Sequence, residues 1–250
     1  MGKILIQIYE IQTPQEAEKL SGLGVDHLGG VLPPDSAPRC PALAQTAAAA
    51  RAMGARFSLI PLFSNQNTLC RALDVIAPDF VHFCDALAAP DGKLLPLGPA
   101  LELQERIKQK FPYIRCMRTL PVALPGLARH LDSLALERAF APITDFFLLD
   151  TATGPQGADP VAGFIGITGQ TCDWDMAARL VAQSRVPVIL AGGIGPDNVF
   201  EAIRRVRPAG VDSCTRTNAV GQDGKPLRFV KDAHKVAALV QKARQAEIML

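Results

Sequence analysis

Gly192 and Gly193 follow the apolar run of Val186, Val188, Ile189 and Leu190 and precede Pro196, Asp197 and Asn198. That order reads as a buried strand, a glycine pair and a helix start. Lacking Cβ atoms, the two glycines let backbone N–H groups approach an anion, and a helix N-terminus favours negative charge. The chemistry this implies is capture of a phosphate. Asp150 closes the run Phe146, Phe147, Leu148, Leu149, and alternation puts Phe146, Leu148 and Asp150 on one side. An apolar strand thus delivers a carboxyl group to a rim, where partial desolvation raises its pKa and suits it to general acid work. A cap for the following turn is the bland alternative. Asp212, between Val211 and Ser213, needs a partner inside its strand, and a substrate amine or a backbone N–H both remain open.

Other chemistries find less support. Apart from Lys3, no lysine lies on an expected strand, which argues against an amine nucleophile. His82, Asp85, Asp150 and Asp212 are possible metal donors, but no H-E-x-x-H or similar spacing joins them, so neither a metal nor another cofactor is expected. His82 reads more simply as a satisfied core histidine. Cys84, Cys116 and Cys214 read as packing residues; a reactive thiol would need a cation beside it, and Arg118 and Arg216 are the candidates at the same rim.

The elements that must position these groups alternate strand and helix. Strands are expected at 4–9, 27–32, 56–63, 80–84, 113–119, 145–150, 186–191 and 210–215. Helices are expected from a Thr13 cap, at 42–53, 67–76, 101–110 and 126–139, at 174–183 behind an Asp173 cap, and at 196–206 and 230–246. Residues 151–172 form a long loop. Eight such units predict a closed (β/α)₈ TIM barrel, an α/β fold occupying 1–250 as a single domain. Its site lies at the C-terminal strand ends, with a phosphate cup in the loops after strands seven and eight.

Composition bounds the partners. A net charge of +2 gives no basic field for nucleic acid, and no run suits a membrane span. The N-terminus lacks a secretory signal, and six cysteines at 40, 70, 84, 116, 172 and 214 without a C-x-x-C pair read as reduced cytoplasmic thiols. The expected partner is a small phosphorylated substrate, bound by a monomer or homodimer in the cytoplasm.

Several stretches resemble the phosphoribosylanthranilate isomerase family: SAPR ending at Arg39, LLD ending at Asp150, GITGQTCDW from Gly166, GGIGPDNV from Gly192 and VDSCTRTN from Val211. The resemblance implies an Amadori isomerisation of a phosphorylated ribosylamine in tryptophan biosynthesis. It implies Asp150 as the acid on the ring oxygen, Arg39 and Asp212 at the anthranilate end, and Gly192, Gly193, Thr215 and Arg216 at the phosphate. The family's base is a first-strand cysteine, and here that position is Tyr9. A phenol is ionised in about one molecule per thousand at neutral pH. The neighbouring Glu10 points away in an ideal strand, so it replaces the thiol only if the strand end twists or bulges. Cys84, where the family carries histidine, is the third stand-in. Arg216, where the family has glycine, either neutralises a phosphate or fills the cup. The alternatives are a diverged paralogue acting on another phosphosugar, and a catalytically inactive barrel that binds a phospholigand.

Overall fold

Alternating apolar runs close into a ring because each strand pairs only with its sequence neighbours, and the last pairs with the first. The computed structural model describes residues 2–34, 40–127, 131–153 and 162–250. Its barrel strands are β1 (Leu5–Tyr9), β2 (His27–Leu32), β3 (Arg56–Pro61), β4 (Phe80–Phe83), β5 (Arg115–Ala123), β6 (Phe146–Ala152), β7 (Val188–Leu190) and β8 (Gly210–Ser213). All are parallel, and β8 closes on β1 with Gln7 opposite Asp212 and Ile8 opposite Ser213. Helices α1 (Pro14–Gly22), α2 (Cys40–Ala52), α3 (Gln66–Ile76), α4 (Gly98–Lys110), α5 (Ser133–Phe140), α6 (Trp174–Gln183), α7 (Val199–Val206) and α8 (Ala233–Ile248) surround it.

Period-two alternation divides the side chains. Ile6, Ile8, Val81, Leu120, Leu149 and Val211 face the helices and are fully buried in the two large apolar layers. Tyr9, Phe80, Met117, Leu148, Ile189 and Ala191 pack together inside the ring. The sheet is therefore covered on both sides, as the continuous apolar runs require.

Several segments depart from the sequence reading: β5 runs to Ala123 instead of 119 and α4 starts at Gly98 instead of 101, and three further departures have identifiable causes. Helix α5 starts at Ser133 rather than 126, because Pro125 and Gly126 make a turn and the side chain of Asp132 caps Ala135 N–H at 2.9 Å. Helix α7 starts at Val199 rather than 196, because Asn198 is spent on the preceding loop. The closing helix starts at Ala233 rather than 230; before it, β9 (Asn218–Val220) and β10 (Pro226–Lys231) form an antiparallel hairpin where a loop was expected. The Asp223-Gly224 pair was the signal for that hairpin. No helix is long and apolar enough to cross a membrane, among the described residues.

Candidate functional site

One cavity opens at the C-terminal end of the ring, lined by Tyr9, Glu10, His82, Cys84, Asp150, Asp212 and Cys214 among others. A smaller one adjoins it, lined by Thr168, Gly169, Gly192, Gly193, Thr215 and Arg216 and sharing Asp150, Asp212 and Cys214. The ring thus brings together Tyr9, Glu10, Cys84, Asp150, Asp212, Gly192, Gly193, Thr215 and Arg216. Arg39 lies outside the described residues.

Tyr9 is held from three sides. Its hydroxyl meets Ser58 Oγ at 2.7 Å and His82 Nδ1 at 2.6 Å, while His82 Nε2 meets Thr119 Oγ1 at 2.8 Å. The ring covers Gly29, where any Cβ would collide with it. Burial pushes the phenol well above its ordinary pKa, and burial likewise drives His82 down to about 3. Tyr9 is therefore a neutral, wedged side chain. His82, read from sequence as core, is buried and satisfied yet also lines the cavity, which no local signal revealed.

Glu10 follows the last residue of β1 with φ +67. The left-handed turn is the twist that brings its buried carboxylate to the cavity instead of the outer face. Arg228, delivered by β10, donates from Nε at 2.7 Å and Nη2 at 2.5 Å, both to Oε1. Oε2 receives a long 3.4 Å contact from Phe229 N–H. Sequence reasoning missed Arg228 because it missed the hairpin.

Asp212 accepts from Gln7 Nε2 at 3.1 Å, a side-chain partner that the sequence reading did not name. Burial and the Asp150 charge push its carboxyl up to about 8 against the opposing pull of Gln7 and Lys231. Burial also raises the Cys84 and Cys214 thiols far above their usual range. Asp150 accepts Thr151 N–H on Oδ1 at 2.7 Å, and a Cβ on Gly166 would lie 2.6 Å from its Oδ2. Only glycine, at φ +117, lets the backbone come so near.

The cup has its own brace. Asn198 Oδ1 accepts Gly195 N–H and its Nδ2 donates to Gly193 O, each at 2.9 Å. Gly193, at φ +59, passes beneath residues 169–171, where a Cβ would lie 2.7 Å from the Gln170 carbonyl carbon. Thr215 opens a short 3-10 turn on the far side. Arg216 donates from Nη1 to Asp197 at 3.0 Å and from Nε to Gly169 O at 3.3 Å, so its guanidinium spans the rim. Arg118, expected at that rim, instead lies behind the sheet, fully buried; it sits on β5 in the outward phase of the alternation.

A family model described as N-(5'phosphoribosyl)anthranilate (PRA) isomerase matches residues 125–242, the part that carries Asp150 and the cup. An N-(5'-phosphoribosyl)anthranilate isomerase of Haloferax volcanii is 43% identical over 123 residues, 48% of this chain and 49% of that protein. The chain so spans about half the length of that relative. Another, from Methanocella arvoryzae, is 28% identical over 227 residues, 91% of this chain and 94% of that protein. A solved phosphoribosyl anthranilate isomerase in complex with reduced 1-(o-carboxyphenylamino)-1-deoxyribulose 5-phosphate shares the fold with a TM-score of 0.65 at 16% identity, over 97% of this chain and 99% of that one.

Proposed function

We propose that the chain is a phosphoribosylanthranilate isomerase, as the family model over residues 125–242 and the relative 28% identical over 91% of the chain support, and that it performs the intramolecular Amadori rearrangement of phosphoribosylanthranilate with Asp150 as acid and Glu10 as base. The observation that carries this reading is the left-handed turn at Glu10, which sets a second carboxylate on the cavity that Asp150 lines.

The phosphate enters the cup of Gly192, Gly193, Thr215 and Arg216, leaving the furanose between the two carboxyl groups. Asp150 donates its proton to the ring oxygen, and the C1–O bond breaks to give a protonated imine. Glu10 then takes the proton from C2, and the electron pair moves into the C1–C2 bond to form the enamine. Proton return to C1 and loss from the C2 hydroxyl give the ketose. No atom is gained or lost. The other cavity groups fit the base role poorly: Tyr9 and both thiols are neutral by burial, Asp212 is neutral below about pH 8, and both nitrogens of His82 are engaged. Glu10 faces the guanidinium of Arg228. Arg39 and the neutral Asp212 remain proposed for the anthranilate end. This reading takes the protein as cytoplasmic and as a monomer or homodimer.

The test is incubation with phosphoribosylanthranilate while following loss of its fluorescence. Turnover by the wild type, abolished in Asp150→Asn, is the expected result; absence of turnover, or an active Asp150→Asn variant, overturns the assignment.

A further inference from the structure

Behind β4 and β5 a charge is buried where an apolar side chain would fit. The guanidinium of Arg118 lies between the rings of Phe83 and Phe140, at 4.9 Å and 4.6 Å. Its Nη1 donates to Asp85 Oδ1 at 2.6 Å and its Nε to Gln104 Oε1 at 2.8 Å, while the buried Nη2 has no hydrogen-bond partner among the described residues. Desolvation nearly cancels the attraction in a buried ion pair, so methionine would serve packing as well or better. The charge secures the position of Asp85. The backbone there forms an antiparallel bridge with Phe164, with Ala86 N–H donating to Gly163 O at 2.8 Å and Ile165 N–H to Cys84 O at 2.9 Å. The next residue is Gly166, whose backbone touches Asp150.

We propose that Arg118 is a positioning residue for the isomerisation: through Asp85 it anchors the 163–166 strap, and the strap fixes the carboxyl of Asp150 against the ring oxygen it protonates. The proposal rests on the reading of Asp150 as acid. It has a part that does not, since the tether itself shows in the protection of two amides.

Asp85→Asn, Arg118→Met and Arg118→Lys are compared with the wild type by hydrogen exchange and steady-state kinetics. In Asp85→Asn and Arg118→Met, exchange at Ala86 and Ile165 should quicken about tenfold or more while the core strands stay protected. The value of kcat should fall by up to about 100-fold, as for a misplaced acid, with KM changed by no more than about twofold because the cup is untouched. Arg118→Lys should recover part of both. Unchanged exchange in a folded Asp85→Asn protein overturns the proposal, and so does faster exchange with wild-type kcat. If the wild type turns nothing over, the isomerase reading falls and with it the catalytic half of this proposal, while the exchange data still support or overturn the tether.

Discussion

Which carboxylate of the first strand's end lines the cavity is decided by one backbone angle. At φ +67 Glu10 shares the cavity with Tyr9, although ideal alternation would separate them, and Arg228 reaches it there. If Glu10 is the base proposed above, Glu10→Gln is expected to lower kcat by about 10²–10⁴-fold. Tyr9→Phe, which removes the hydroxyl's contacts with Ser58, His82 and the Met117 sulfur, should stay within about tenfold of wild type in the same fluorescence assay. Restoring the family's thiol should carry a structural cost, because the Tyr9 ring fills space over Gly29. Tyr9→Cys is expected to lose roughly 3 kcal/mol, read from the urea midpoint. Asp212 offers a pH test. Its carboxyl is raised to about 8 in the fold against about 3.9 unfolded, so the unfolded state releases a proton that the native state keeps. The stability it contributes is whole below pH 4 and is lost as pH rises towards 8. Asp212→Asn should flatten that fall in a series of urea titrations.

Among the elements, α7 and the β9–β10 hairpin contribute more than shape. Asn198 spends both ends of its amide on the glycine loop, so Asn198→Ala should cost about 1–2 kcal/mol and weaken binding of inorganic phosphate, measured by calorimetry. Unchanged phosphate affinity would separate the brace from the cup. Most strands were legible because their apolar runs are short and bounded by glycine or proline; β2 was read to its residue limits. The helix starts were less so, for a physical reason. Asn and Asp side chains cap helices and brace loops with equal ease, and only tertiary contact chooses between Asp132, which caps, and Asn198, which braces. The hairpin was missed because its exposed strands carry charge and no buried stripe, and Arg228 was missed with it.

On the scale of the molecule, two buried histidines oppose Asp212. Burial drives His27 down to about 4 and His82 to about 3, so both are neutral in the fold and gain protons only on unfolding. Stability from this source is present above about 6.5 and is lost as pH falls towards 3. The whole chain should therefore show a stability maximum in the mildly acid range, and thermal melts across pH 4 to 9 would show it; a flat profile would contradict the buried placements. Architecture was legible because eight repeats of one unit admit few closures. The positions of Asp150 and the glycine pair were legible as strand ends. Glu10 was named only on condition of a twist, which the backbone supplies, and the side of β5 that Arg118 faces was not legible.

Closure of β8 on β1 also sets an order of events. The Gln7–Asp212 bond spans 205 positions and the Glu10–Arg228 pair 218, so both link the first strand to residues that leave a ribosome long after it. During synthesis the early strands must wait with an open edge, and Glu10 at the cavity gains its Arg228 partner only after residue 228 has been released. Nascent chains stalled short of residue 228 should be exposed to aggregation and to chaperone capture for that whole interval.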